Sequence, residues 1–237
     1  MFGGQINLIA TWRTVMKISN QTIRILKNFS KINPTILVRS GKNLVTLDHN
    51  KRIIADANVD EIMPIDFAIH DLNQFLTVVS LFESPDFEFK NDRVVVKNNH
   101  KQVNYIFADQ GCVTDAKVVR DKIPMMFKEE DIVQSFSLNE ADLKSITETA
   151  TILKYPHITF VGDDSGVRIV ARDTTNNSLG DFVINLNIKA SSSFEHTMLL
   201  DNLRVLSGDY DVAISPNIAH FVNKSFPIKY WIVMEAV

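Results

Sequence analysis

One pattern occurs twice in the chain, as ISNQTIRILKNF from Ile18 to Phe29 and as LNEADLKSITET from Leu138 to Thr149. The apolar residues of each copy recur at the spacing of an amphipathic helix, and MKISNQT before the first copy is typical of a helix start. Similarity between two distant segments indicates that the chain arose from a duplicated unit. The corresponding apolar positions are Ile18 and Leu138, Ile23 and Leu143, and Leu26 and Ile146.

A second pair of segments repeats in the same order, FAIHDLNQFL from Phe67 and MLLDNLRVL from Met198. Leu72 corresponds to Leu203, and Phe75 corresponds to Leu206. Each half therefore consists of a helix, strands, a helix and strands. We predict an α+β fold in which the helices pack on one face of antiparallel sheets. The predicted helices are residues 20–32 and 71–82 in the first half, and residues 139–154 and 199–206 in the second.

About 20 residues of low periodicity, Gln110 to Glu130, separate the two halves and have the composition of a linker. We predict a first domain at residues 16–109, a linker at 110–130 and a second domain at 131–237. Residues 1–15 match no later pattern, so we expect an N-terminal extension there, outside the native structure.

The composition excludes several classes of protein. No run of 18 apolar residues is present, and the N-terminus lacks a basic region followed by an apolar one, so we expect neither a membrane span nor a signal peptide. One cysteine, Cys112, excludes an internal disulfide and favours a cytoplasmic location. The net charge is -3, whereas proteins that bind DNA by neutralising phosphates are usually basic.

The stretch ITFVGDDSGVRIV, Ile158 to Val170, raises the possibility of a catalytic metal site at Asp163 and Asp164. The turn SGKN, from Ser40, occupies the matching place in the first half and has no carboxylate. A metal-dependent polymerase would also need a further aspartate in a larger scaffold. We therefore interpret the stretch as a hairpin turn, whose Asp and Gly residues suit turn dihedrals.

No metal or cofactor is predicted, because none of the six histidines lies three or four residues from another histidine or from the cysteine.

A basic stripe follows the polar face of the first helix. At 100° per residue, Arg24, Lys27 and Lys31 project together, opposite the apolar residues of the same helix. Such a stripe is often only a solvated helix face, but this one has no acidic neighbour in a chain that is acidic overall. The linker segment KIPMMFKEED, from Lys122, adds an apolar patch that either anchors the linker or binds a peptide.

The residues of the first half carry a family resemblance. MKISNQTIRILKNFSKINPTILVRSGKNLVTL, with ADANV and FAIHDLNQFLTVVSLF, resembles the DNA polymerase sliding clamps of T-even-type bacteriophages, which belong to the PCNA-like clamps. The resemblance extends from Met16 to Val237 and is closest in the first half. It implies a two-domain clamp fold in which each domain is a duplicated βαβββ unit. It further implies a non-enzymatic processivity factor that tethers the replicative polymerase during phage DNA replication.

The resemblance also implies partners and an assembly. Three subunits would close head-to-tail into a ring around double-stranded DNA, without sequence specificity and with the helices lining the hole. The ring would carry a net charge of -9, three times -3. An edge strand near Val103 to Ala108 would pair with one near Gly180 to Leu186 of the next subunit. The polymerase C-terminal peptide and the clamp loader ATPase would bind an apolar pocket beside the linker, in the cytoplasm of the infected bacterial host.

Site residues follow from the stripe and from the resemblance together. The DNA-facing residues are expected to be Arg24, Lys27, Lys31, Lys144 and Arg204. The partner-peptide pocket is expected to contain Ile123, Pro124, Met125, Met126 and Val233. Two alternatives remain open: a structural or regulatory protein that reuses the duplicated fold, and a metal-dependent nucleotidyl-transfer enzyme that uses Asp163 and Asp164.

Overall fold

The duplication appears in the order of the structural elements. The computed structural model describes residues 14–176 and 180–235. The first half contains β1 (Thr14–Met16), α1 (Asn20–Ile32), β2 (Ile36–Val38), β3 (Gly41–Leu47), β4 (Ile53–Met63), β5 (Phe67–Ile69), α2 (Leu72–Ser80), β6 (Asp86–Phe89), β7 (Arg93–Lys97) and β8 (Gln102–Ile106). The linker contains α3 (Ala116–Arg120) and α4 (Ile123–Met126) between two short 3₁₀ turns.

The second half repeats this order with one change. It contains β9 (Gln134–Leu138), α5 (Glu140–Leu153), β10 (His157–Asp163), β11 (Gly166–Arg172), β12 (Phe182–Asn185), β13 (Phe194–Leu199), β14 (Tyr210–Ile214), β15 (Ile218–Asn223) and β16 (Ile228–Val233). Where the first half has α2, the second has a 3₁₀ turn at Leu200–Asn202. The predicted α+β fold with duplicated βαβββ units is confirmed.

The sheets of the two halves match strand by strand, and every ladder is antiparallel. The order β1-β6-β7-β8 corresponds to β9-β14-β15-β16. The pairs β2-β5 and β3-β4 correspond to β10-β13 and β11-β12. In the second half β10 also pairs with β11, whereas β2 and β3 enter separate sheets. The predicted hairpin is therefore present at Asp163–Gly166, where β10 pairs with β11. At the corresponding place in the first half, β2 and β3 follow each other along the chain but do not pair.

One ladder joins the two halves. β4 pairs with β16, with Ile53 opposite Ile232 and Ala55 opposite Tyr230, so that six strands form a single sheet in the order β3-β4-β16-β15-β14-β9. The counterparts of these two strands, β12 and β8, each lie at a sheet edge and have no second partner strand among the described residues.

The six-stranded sheet has two covered faces, because side chains alternate along each strand. Ala55, Tyr230 and Ile232 point into the main core, which also contains Ile25 and Phe29 of α1. The intervening residues face the opposite side, where the linker covers them; this outer cluster contains Val45, Leu47, Ile54, Ala116, Ile123, Ile218 and Trp231. Helix α1 and the linker therefore lie on opposite faces of one sheet.

The N-terminal boundary differs from the prediction. Thr14 and Val15 belong to β1, which pairs with β6, with Thr14 opposite Phe89 and Met16 opposite Phe87. Since β1 is the counterpart of β9, these two residues form part of the first repeat unit, and their assignment to an extension was wrong. Residues 1–13 lie outside the described part of the chain.

The predicted helix at residues 199–206 is also wrong. β13 continues to Leu199, and the backbone after the 3₁₀ turn leaves helical geometry at Leu203. The reason is nonlocal: the Leu206 N–H donates to the Tyr230 hydroxyl at 3.0 Å, and the Leu206 carbonyl accepts from the Tyr210 hydroxyl. Hydrogen bonds to two buried tyrosines replace those of a helical turn.

A buried polar network ties α1 to the second half. The Tyr230 hydroxyl donates to Asn28 Oδ1 at 2.8 Å, and Asn28 Nδ2 donates to the Arg204 carbonyl at 3.0 Å. Burial raises the pKa of Tyr230 well above its ordinary value and raises the pKa of Tyr210 to about 12, so both hydroxyls stay protonated. Every member of this network has a partner, as buried polar groups require.

Replacing Asn28 by alanine is expected to lower the free energy of unfolding by about 1–3 kcal/mol, because the Tyr230 hydroxyl and the Arg204 carbonyl would lose their buried partners. Urea unfolding at a fixed protein concentration measures the change, with Asn73→Ala on the exposed face of α2 as the control. Equal stability of the two variants would contradict this role of the network.

Candidate DNA-facing helices and partner groove

The basic stripe lies on the exposed side of α1. Lys27 and Lys31 are exposed, and neither forms an ion pair with any residue that the structure describes. The first turn of α1 contains no acidic residue. The opposite side of the helix is buried through Ile25, Phe29 and Ile32, which fixes the direction in which the stripe points.

The other three predicted DNA-facing residues are placed differently. The Arg24 guanidinium lies over the Phe226 ring, 4.5 Å from its centre, and so contacts the turn between β15 and β16. Arg204 donates to the carbonyl of Lys31 at 3.0 Å and caps the C-terminal end of α1. Lys144 lies 3.7 Å from Glu148 on α5, with both side chains largely exposed. That these five residues face DNA stays a prediction.

The Gly-Asp-Asp stretch forms a closed turn. Arg168 holds Asp163 with two hydrogen bonds of 3.0 and 2.6 Å, and the Ser165 N–H donates to the same carboxylate at 2.8 Å. These contacts, the Arg168 hydrogen bonds first, hold the pKa of Asp163 below its ordinary value. Gly166 has φ +107°, which a residue with a side chain rarely adopts. Within the described residues, no three His, Cys, Asp or Glu side chains are grouped as metal ligands are.

An apolar groove of about 710 Å³ lies on the outer face of the six-stranded sheet. We call it the linker groove and define it by Ile123, Pro124 and Phe127 of the linker and by His220 and Trp231 of the sheet. Arg120, Asp121, Glu129 and Lys229 add charged groups to its lining. An apolar floor with a few charged groups at its margin is the usual composition of a peptide or ligand site.

Aromatic rings form the floor of the linker groove. The rings of His220 and Trp231 stack 4.8 Å apart at 13°, and Phe127 meets His220 edge-on at 5.3 Å. Burial, with a smaller effect from Lys229, lowers the pKa of His220 to about 4. The imidazole is therefore neutral at physiological pH, and the aromatic floor carries no charge.

A buried carboxylate holds the linker in place beside the groove. Asp56 of β4 is 2% exposed, accepts from Arg120 of α3 at 2.8 Å and lies 4.0 Å from Lys229 of β16. Asp115 begins α3 and accepts from Arg39 at 2.6 Å. The Arg120–Asp56 and Arg39–Asp115 ion pairs join the linker to the first half, and removal of Arg120 would take the closest ion-pair partner from the buried Asp56 carboxylate.

Comparison with known proteins agrees with this architecture. The family model of DNA polymerase processivity factors matches residues 17–106. The sliding clamp of Vibrio phage KVP40 is 28% identical over 94% of this chain and all of its own length. The sliding clamp of Escherichia phage RB69 is 26% identical over 93% of this chain and 97% of its own length.

The chain is therefore similar to phage sliding clamps over most of its length, and its first half resembles the DNA polymerase processivity factors.

Solved structures show the same fold at low sequence identity. PCNA from Entamoeba histolytica has a TM-score of 0.69 and is 11% identical, covering 95% of this chain and 99% of its own. PCNA from A. fulgidus, solved with the C-terminal region of FEN-1 bound, has a TM-score of 0.64 and is 13% identical, covering 95% and 98% of the two chains. The predicted two-domain clamp fold is confirmed. No helix in the described residues is long and apolar enough to span a membrane.

The predicted pocket residues separate into two groups. Ile123 and Pro124 line the linker groove, but Met125 and Met126 are 77% and 56% exposed and do not. The reason is that α4 is a single turn, so Ile123 and Phe127, four residues apart, share its inner side. Val233 also lies outside the lining. The sequence included Phe127 in the apolar patch of the linker, but Phe127 was not assigned to the pocket. His220 and Trp231 were missed, because only the β15–β16 pairing places them opposite each other.

Replacing His220 by phenylalanine is expected to reduce the loss of stability in acid. The folded protein disfavours protonated His220, whose pKa falls to about 4, so the wild type loses stability as the pH falls from about 6.5 to about 4. On acidification the free energy of unfolding of the variant should fall by about 1–3 kcal/mol less than that of the wild type. Urea unfolding at pH 7.5 and 4.5 tests this, with the exposed His100→Phe as the control. The same acid sensitivity in both variants would contradict the buried, neutral state of His220.

Proposed function

We propose that three copies of this clamp close head-to-tail into a ring that encircles duplex DNA and tethers a replicative polymerase, in the cytoplasm of the infected bacterial host. The family supports the processivity role. The number of copies, the DNA contacts and the identity of the protein partners are proposals for this chain.

The observation that carries the ring is the β4–β16 ladder inside the chain. It joins the end of one repeat unit to the end of another, and its counterparts β12 and β8 are unpaired sheet edges. If β12 of one copy pairs with β8 of the next, each junction between copies repeats the junction within a copy. Such a contact is head-to-tail, closes when the rotation is complete, and covers both exposed edges.

The proposed ring explains how a protein of net charge -3 can work on DNA. A topologically linked clamp does not need tight phosphate contacts, and strong contacts would oppose sliding. Lys27 and Lys31 are exposed, unpaired within the described residues and attached by flexible side chains. Because duplex DNA carries a phosphate every ~1.7 Å along its axis, a few mobile cations give a smooth attractive potential.

The linker groove is the proposed site for a C-terminal peptide of the polymerase and for the clamp loader. Its support is geometric: apolar side chains cover a floor of neutral aromatic rings, and charged groups stand at the margin. The related PCNA from A. fulgidus was solved with the C-terminal region of FEN-1 bound. An apolar residue of a partner peptide would bury its surface against Ile123 and Trp231.

We also propose that the clamp acts without catalysis. Asp163, which the nucleotidyl-transfer hypothesis needs as a metal ligand, has both carboxylate oxygens engaged by Arg168. Replacing Asp163 and Asp164 by asparagine should therefore leave processivity within about twofold of the wild type, because a surface ion pair contributes only about 0–1 kcal/mol. Primer extension with the cognate polymerase measures this, and complete loss of synthesis would favour the enzymatic alternative.

Oligomeric mass tests the ring itself. Sedimentation equilibrium should give three chains of 26.9 kDa per particle at micromolar concentration. A monomer at all concentrations, with DNA and partners absent or present, would favour the alternative of a structural or regulatory protein.

Charge reversal of the stripe tests the DNA contact. Lys27→Glu with Lys31→Glu should shorten the products of primer extension at least several-fold at moderate salt, since both cations would repel phosphate. The matched control, Lys42→Glu with Lys51→Glu, makes the same charge change at exposed positions outside both the stripe and the linker groove. Equal processivity of the two double variants would contradict a DNA-facing stripe.

A further inference from the structure

The two sides of the linker groove differ in the sign of their charge. On the linker side, two acidic residues of the lining, Asp121 and Glu129, outnumber the one basic residue, Arg120. On the sheet side the charged residue is Lys229 of β16, which stands two positions before Trp231 and therefore on the same face of the strand. A peptide in the groove would meet carboxylates along one side and an ammonium group along the other.

The ammonium group of Lys229 has hydrogen-bond donors that the protein does not use. Asp56 lies directly opposite Lys229 in the β4–β16 ladder, and its carboxylate accepts from Asn43 Nδ2 at 2.5 Å and from Arg120 Nη1 at 2.8 Å. Lys229 Nζ lies 4.0 Å from Asp56 Oδ2, which is beyond hydrogen-bond distance. Within the part of the chain that the structure describes, Lys229 Nζ therefore donates no hydrogen bond, although it carries three N–H groups.

Lys229 Nζ also lies beside the apolar floor of the groove. It is 5.1 Å from the centre of the Trp231 ring and over the face of that ring. The Lys229 side chain is 43% exposed, so its charge can be reached from the groove. An apolar residue packed against Trp231 would bring the neighbouring part of its own peptide close to this cation. The same peptide would exclude water from the ammonium group, which strengthens an ion pair formed there.

We infer that Lys229 binds a carboxylate of the partner peptide, next to the apolar residue that packs on Trp231. The inference rests on the proposed binding of a polymerase C-terminal peptide in the linker groove, and it names a chemical feature by which that peptide is recognised. The carboxylate belongs to an Asp or Glu side chain or to the chain terminus, because both present the same acceptor oxygens.

The opposite side of the groove makes this contact directional. Asp121 and Glu129 repel an anion there, so a carboxylate of the peptide is accepted on the sheet side and rejected on the linker side. A peptide that lies across the groove in the reverse direction would lose the ion pair and place its carboxylate beside these two acids. Lys229 is thus a specificity-determining residue, whereas Ile123 and Trp231 supply the apolar contact.

The test measures peptide binding to Lys229→Gln. The probe is a fluorescently labelled synthetic peptide with the C-terminal sequence of the cognate polymerase, and fluorescence anisotropy gives its dissociation constant. We expect Lys229→Gln to weaken binding about three- to tenfold at about 50 mM salt, and the difference to shrink at about 500 mM salt, where charges are screened. Lys42→Gln is the matched control and should bind like the wild type, because Lys42 is an exposed lysine of β3 outside the groove.

Three altered peptides identify the source of the carboxylate. One ends in an amide, the second has Asn and Gln in place of Asp and Glu, and the third combines both changes. The change that removes the bound carboxylate should weaken binding to the wild type by the same factor as Lys229→Gln does, and it should not weaken binding to that variant further. The third peptide should bind the wild type and Lys229→Gln equally, which also shows that the groove of the variant is intact.

Two results would overturn the inference while the groove remains the peptide site. One is equal binding of the unaltered peptide to Lys229→Gln and to the wild type at low salt. The other is an equal loss of binding for all four peptides, because Lys229 would then act only through the folding of the groove, as a counter-ion of Asp56. If none of the peptides binds the wild type, the proposed function of the groove fails, and the inference fails with it.

Discussion

Backbone pairing between β4 and β16 is the contact on which the rest of the structure depends. It merges strands from both halves into one six-stranded sheet with Tyr230 pointing inward and Trp231 outward. The inward side packs against α1 and fixes the direction of the basic stripe. The outward side receives the linker and so creates the linker groove. A shift of one residue in this register would exchange the two sides, because side chains alternate along a strand.

The sequence predicted those elements whose stability is local. Helix α1 follows from the spacing of Ile25, Phe29 and Ile32 and has the predicted bounds, residues 20–32. The segment after Leu203 has a similar apolar pattern but is not helical, because its backbone bonds to Tyr210 and Tyr230 from strands distant along the chain. Propensity and pattern carry no information about such partners, and tertiary contacts override them.

For the linker groove too, the sequence predicted the segment that forms the site but not all of the side chains that line it. The patch at Ile123 and Pro124 was recognisable from composition, but which side chains turn inward depends on a single helical turn held over the sheet. Phe127 contacts His220 there, and Met125 points away although it is equally apolar. The aromatic residues of β15 and β16 can be recognised as part of a site only once the linker is known to pack beside them.

The cationic residues on and beside α1 form two groups, which differ in whether the second half of the chain covers them. Arg24 and Arg204 contact the other half of the chain through a ring face and backbone carbonyls, where the planar guanidinium is well suited. Lys27 and Lys31, about one and two helical turns further along the same stripe, remain exposed. The helical projection grouped Arg24 with the two lysines because it cannot show what lies opposite a face. A duplicated fold supplies that information internally: whatever covers a residue in one repeat indicates what covers its counterpart in the other.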